Sequence, residues 1–205
     1  MRAVLAVLAL WCAGLGAAAQ FGKMSFAFDL FAARFPAAGP VGVGLLVSVV
    51  GIVGLVFGTT AGLMVARIGP RRAILAALAL GSAMSALQCL PLSYAVLFLT
   101  RVVEGFSHLA IVVVGPTMIA GLAPPRHQGL AMTLWSSFFG VTYAVLAVIA
   151  PPLLAGGSVG MLFAGHALWL AGIALLLSRL LPDDPKGAAH AMGGIVAEHL
   201  SIYSS

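Results

Sequence analysis

The sequence predicts an all-α membrane protein with six transmembrane helices, and two observations carry that prediction. The chain is 62% hydrophobic and only 7% charged, and its apolar residues gather into six runs of roughly 20, the length needed to cross a hydrocarbon core about 30 Å thick. The second observation is the stretch from Gly62 to Arg72, G-L-M-V-A-R-I-G-P-R-R, a glycine-punctuated turn with three arginines between two of those runs. Short cytoplasmic loops are enriched in Lys and Arg, so this turn sets the direction of every span and places both termini in the cytoplasm. Outer-membrane strands would alternate polar and apolar residues. These runs are apolar all round, so they are helices.

The net charge of +5 would suggest nucleic acid in a soluble protein. Here the basic residues stand at helix ends, where they act as topology signals and lipid headgroup contacts, and no nucleic-acid partner is expected. Cys12 and Cys89 fall inside apolar runs and are expected to be buried thiols, with no disulfide, metal or cofactor.

The first run, Met1 to about Phe21, has two readings. Arg2, the apolar stretch and Ala17-Ala18-Ala19-Gln20 also describe a secretory signal peptide with a small-residue cleavage site. A retained helix is favoured, because five remaining spans would break the paired architecture; either way residue 22 lies outside. Gly22 to Pro40 is expected as an external segment, or the first helix runs on past Phe21, since Lys23 can snorkel to the outer interface. The second span covers about Val41 to Val65, where Gly54, Gly58 and Gly62 recur on one face and would let another helix approach closely. The third runs from Ala73 to Leu90, the fourth from about Tyr94 to Gly121, the fifth from about Leu130 to Leu154. The sixth ends near Leu181, stopped by Pro182-Asp183-Asp184-Pro185. Residues 1–181 form the bundle and 182–205 a cytoplasmic tail in which Ile195, Val196, His199 and Ile202 suggest a weak amphipathic turn. On this map Arg2, Arg67, Arg71, Arg72, Arg126, Arg179 and Lys186 are cytoplasmic, Lys23 and Arg34 external.

The chemically informative segment lies inside the fourth span. Arg101, Glu104, Gly105 and His108 share one helix face by their spacings of three, four and seven. A charge at bilayer depth costs at least ~2.5–3.5 kcal/mol, so it faces a partner or a watery cavity. One reading is a self-satisfied Arg101–Glu104 pair holding helices together. The other is a polar pathway that binds an anionic substrate or relays protons, with His108 and Gln20 beside it. Glu104 can also cancel the field of Arg101. Trp135, Tyr143 and Trp169 are expected as packing or interfacial aromatics, and His166 as a hydrogen-bonded core residue.

Two of these segments together resemble the major facilitator superfamily of transporters. The basic turn is similar to the family's loop between the second and third helices, roughly Gly-x-x-x-Asp-Arg-x-Gly-x-Arg-Arg. Gly62, Arg67, Gly69, Arg71 and Arg72 match, while Ala66 replaces the usual aspartate. Arg101 and Gly105 match the Arg-x-x-x-Gly of the fourth helix, whose arginine the family associates with proton coupling. Ala150-Pro151-Pro152 and Gly156-Gly157 resemble the antiporter signature of the fifth helix too loosely to imply antiport.

The resemblance covers about Val4 to Leu181 and implies one six-helix half, two inverted three-helix repeats, of a twelve-helix transporter. It implies secondary transport of a small-molecule substrate in the inner membrane of a bacterial cell, among membrane lipid. The partner would be a missing carboxy-terminal half or a second six-helix chain, and truncation is the favoured account. An intramembrane enzyme is disfavoured. Ser107 and His108 are about 100° apart around the helix and cannot pair as nucleophile and base, and no nucleophile elbow or metal motif is present. A structural or assembly protein remains the alternative class.

Overall fold

Nine-tenths of the chain, residues 1–184, is described by the computed structural model, and it contains helices and turns without a strand among those residues. The α-helices are α1 (Arg2–Phe26), α2 (Phe28–Arg34), α3 (Gly39–Ile68), α4 (Pro70–Leu87), α5 (Tyr94–Leu122), α6 (Gln128–Ser136), α7 (Phe138–Leu154) and α8 (Gly160–Leu180). Tight turns Pro36–Ala38 and Pro125–His127 lead into α3 and α6. Five segments are long and apolar enough to cross a membrane: Arg2–Phe26, Pro36–Ile68, Tyr94–Leu122, Pro125–Leu154 and Gly160–Leu180. The third expected span, α4, is not among them. It is 18 residues long and carries Arg71 and Arg72 in its first turn.

The helices reverse direction so that chain ends and loops segregate. At one end of the bundle Arg2 donates to the Arg179 carbonyl (2.9 Å), and Arg71 to that of Ser178 (2.9 Å). At the other, Arg34 of α2 donates to the Leu92 carbonyl (2.6 Å) in the loop between α4 and α5. Helix α1 is central, packed along α5, α7 and α8, while α3 lies along α5 and α4 along α5 and α8. Small residues make this possible, since helices in lipid associate through close packing. A Cβ on Gly16 would come within 2.4 Å of Leu170, one on Gly22 within 2.3 Å of Leu146, and one on Gly105 within 2.8 Å of Val53.

Two apolar clusters fill the bundle. One gathers Ala13, Leu78, Ile111, Trp135 and Leu177, and the other Met24, Phe31, Leu46, Leu97 and Phe163. Along α1, α5 and α8 the sequence passes from one cluster to the other through buried polar residues: Gln20 and Lys23, then Arg101 to His108, then His166. A polar layer therefore lies between two apolar ones.

Several expectations are corrected. Helix α1 does run on, five residues past Phe21, so Gly22–Phe26 is bundle and not external segment. Lys23 does not snorkel outward; its side chain turns into the polar layer and is fully buried. The fifth span is interrupted at Ser137, between α6 and α7. The glycine row does not make the expected close contact among the described residues: nothing lies within 4 Å of a Cβ built at Gly54, Gly58 or Gly62. Most of the proposed tail, including Ile195, Val196, His199 and Ile202, falls outside the described residues.

The turn between α3 and α4 is held by an acid from the far end of the chain. Gly69 adopts φ 92°, a backbone conformation that residues with a Cβ resist. The following N–H groups of Arg71 and Arg72 donate to the two carboxylate oxygens of Asp184 (2.9 and 3.1 Å). An acceptor at a helix N-terminus satisfies donors that have no partner in the helix and complements its dipole. Asp184→Ala is expected to lower stability by about 1 kcal/mol, read by thermal unfolding in detergent. Gly69→Ala should cost more, because its Cβ would meet the Asp184 carboxyl carbon at 2.5 Å.

Candidate functional site

Lys23 is the hub of the polar layer. Its ammonium lies 2.7 Å from Glu104 Oε1, 2.8 Å from Gln88 Oε1, 2.9 Å from Ser85 Oγ and 3.3 Å from His166 Nδ1. An ammonium has three protons, so four acceptors share them. Gln88 uses its amide to bond Glu104 Oε2 (2.9 Å) and Thr100 Oγ1 (3.1 Å). His166 donates from Nε2 to the Gly16 carbonyl (2.9 Å), which leaves Nδ1 of the neutral ring as the acceptor facing Lys23 and Ser85. The helices α1, α4, α5 and α8 are thereby joined through one ammonium group.

Arg101 completes the cluster. Its Nη1 pairs with Glu104 Oε2, its Nε donates to the Leu46 carbonyl (2.8 Å) and its Nη2 to the Gln20 carbonyl (2.8 Å). Arg101, Glu104 and Lys23 are all fully buried. With Lys23 and Arg101 cationic and Glu104 anionic, the cluster carries one net positive charge. Every guanidinium nitrogen is committed to a protein acceptor. Of the two readings of Arg101, the arrangement is the paired one: its charge faces Glu104 and two carbonyls.

The remaining expected residues divide. Gln20 is buried, donates to Ser107 Oγ (3.0 Å) and leaves its own Oε1 without a hydrogen-bond partner. His108 donates from Nδ1 to the Ala17 carbonyl (3.0 Å) and packs edge-on against Phe21. Gly105 brings α5 onto α3 at Val50 and Val53. The loop residues lie elsewhere: Gly62 and Arg67 belong to the last turns of α3, Gly69 is the turn, and Arg71 and Arg72 open α4. Arg71 also pairs with Asp183 at 3.2 Å.

A groove of about 260 Å³ lies between α1, α7 and α8. It is apolar except at Lys23, His166 and Thr142, which contribute to its lining beside Leu146, Ile149 and Trp169. The polar layer reaches this groove at His166, which is 7% exposed, while Lys23 lies behind it, fully buried.

A family model described as Major Facilitator Superfamily matches residues 6–193. The chain belongs to that superfamily. No match was found among curated proteins. Superfamily membership carries transmembrane transport of a solute and a multi-pass membrane location, consistent with the five long apolar segments.

Sequence reasoning about this facilitator missed Lys23, Ser85, Gln88 and Asp184 as partners. A signal was present for Lys23: a lone lysine following an unbroken apolar run sits at helical spacing from Gln20 and invites an inward reading. Ser85 in the last turn of α4 and Gln88, the residue that caps its end, formed a second polar face of the same kind. Nothing in the sequence connected Asp184 to Arg71 across 113 positions.

Removing one partner of a buried pair costs about 3–5 kcal/mol when it strands the other charge. Glu104→Gln strands two cations, whereas Lys23→Met leaves the neutral Arg101–Glu104 pair. Glu104→Gln is therefore expected to lower the unfolding temperature in detergent more than Lys23→Met. The reverse order would contradict this account of the charge balance.

Proposed function

We propose that this facilitator chain supplies one six-helix half of a secondary transporter for a small solute, with α4 as the third of its six spans and both ends of the bundle's chain in the cytoplasm. It would work by alternating access against a second six-helix half, in the same polypeptide or in another, because rocking needs a second bundle to rock against. The inner membrane is the proposed location. The open glycine face of α3, at Gly54, Gly58 and Gly62, suits the close approach of such a bundle.

Proton coupling is the proposed energy source. The observation that carries it is the hydrogen-bonded series from the groove through His166 and Lys23 to Glu104. Groups that exchange protons stand within bonding distance of one another, and the series begins beside open space. Arg101, whose guanidinium stays protonated, supplies the fixed charge against which Glu104 and Lys23 gain or lose a proton. Gln20 and His108 flank this path on α1 and α5.

The second reading is a structural cluster, and a specific observation favours it: Arg101 and Glu104 are fully buried, sealed between helices. Replacement of Arg101 separates the two readings. In membrane vesicles containing the complete transporter, Arg101→Ala is expected to abolish proton-driven uptake while membrane insertion persists. Uptake at the unmodified rate would remove Arg101 from the mechanism and leave the structural reading.

A further inference from the structure

Beside the charged cluster, a different set of residues forms an aromatic wall across three helices. Phe21 on α1, His108 on α5 and Phe139 on α7 meet with ring centroids 4.9 Å (Phe21–His108), 6.1 Å (Phe21–Phe139) and 6.4 Å (His108–Phe139) apart. Phe139 continues to Tyr143, whose ring lies 6.3 Å away and within 19° of parallel. The Tyr143 hydroxyl is 3.4 Å from that of Ser25 on α1. Phe139 is 39% exposed, and Phe21, Ser25 and Tyr143 are half-buried, so the wall is open. Gly51 of α3 flanks it, exposed and 3.5 Å from the Phe21 ring by its absent Cβ.

His108 is the polar point of this wall. Its Nδ1 bonds a carbonyl, which only accepts, so the proton of the neutral ring is on Nδ1 and Nε2 is a bare acceptor. No hydrogen bond to Nε2 is made among the described residues, and Nε2 is not among their buried unpartnered atoms. A wall built only to pack against apolar side chains would strand this acceptor, at a cost of about 1–3 kcal/mol. No formal charge stands on the wall, since Arg101, Glu104 and Lys23 are bonded to one another and to carbonyls and amides behind it.

We propose that this wall is half of the solute site, and that the solute is a neutral, planar aromatic molecule with one N–H or O–H donor. The proposal rests on the transport reading above and names its substrate class. The ring lies against Phe21, Phe139 and Tyr143, where aromatic pairs gain from offset and edge-on contact beyond their buried area. The donor goes to His108 Nε2. A charged solute finds no counter-charge on this surface, and an aliphatic one makes no ring contacts.

Three related amides test this with the full protein in nanodiscs, by calorimetric binding. Benzamide has both ring and donor, N,N-dimethylbenzamide lacks the donor, and cyclohexanecarboxamide lacks the aromatic ring. Benzamide is expected to bind about tenfold more tightly than either relative, the scale of one hydrogen bond or one good ring contact. His108→Phe keeps a ring but removes the acceptor, and should erase the preference over N,N-dimethylbenzamide. Phe139→Leu changes an exposed side chain, so it tests the wall even where His108→Phe does not fold; it should erase the preference over cyclohexanecarboxamide. Equal binding of all three, no binding, or unchanged preferences in Phe139→Leu overturns the assignment, including the case in which another helical bundle covers the wall. Uptake of a mixed solute panel into vesicles is run alongside. Saturable uptake restricted to non-aromatic or charged solutes overturns this proposal and leaves transport standing, whereas no saturable uptake at all defeats the transport reading itself.

Discussion

A cation buried from α1 governs this bundle. Lys23 lies in the middle of an apolar assembly, and its ammonium needs acceptors that its own helix cannot provide. Glu104, Gln88, Ser85 and His166 answer from three other helices. The requirement works in both directions, because Glu104 would be equally costly without Lys23 and Arg101. Each polar group is tolerable only if all the helices that present partners are seated. In lipid, where apolar faces gain little by leaving one helix neighbour for a lipid tail, such a layer specifies the register of α1, α4, α5 and α8 more sharply than the two apolar clusters can.

The second constraint sits at the end of the bundle near Arg2 and Arg179. The family's loop pattern places an aspartate where this chain has Ala66. Here an acid nevertheless stands at the turn, because Asp184 reaches the first N–H groups of α4. It does not replace the family's residue in position, since it contacts the start of α4 and not the end of α3. Its consequence is a tie between the turn and the end of α8, reinforced by Arg71 on the Ser178 carbonyl. The Arg71–Asp183 pair adds little, as Asp183 is almost wholly exposed and such surface pairs contribute ~1 kcal/mol or less.

What the sequence made legible follows from the range of each signal. Apolar run length and arginine placement are local, so the all-helical class and most helix boundaries came through within a few residues: Tyr94 begins α5, Leu154 ends α7, and Leu180 ends α8 as expected. The face shared by Arg101, Glu104 and His108 is also a local matter of helical spacing, and all three side chains are buried. Partner choice is not local. Lys23 was read as external because a charge near a helix end can equally rise to the interface or turn inward, and only the acceptors on α4 and α8 decide between them. The glycine row of α3 was legible as a face but not as a contact. Glycine spacing permits close approach without naming the neighbour, and among the described residues the close approach to α3 comes instead through Gly105.

The layout separates parts that move together from seams that can open. Lys23 binds α1 to α5 and α4 by charged hydrogen bonds, and Arg101 binds α5 to carbonyls of α1 and α3. Pulling any of these helices apart would expose an unpaired charge to a low-dielectric interior, which is far costlier than sliding apolar surfaces. In the proposed transport cycle those four helices therefore travel as a block. Helix α7 has no part in the charged cluster; it packs closely along α1 through apolar contacts, the Thr142 hydroxyl on the Leu15 carbonyl (3.1 Å) and the Tyr143–Ser25 hydroxyl pair (3.4 Å). The groove beside it, which the polar layer reaches at His166, runs along the seam between α7 and α8, two helices that touch little. A proposed proton path that starts there needs only the α7–α8 seam to part, while the cluster that receives the proton keeps its geometry.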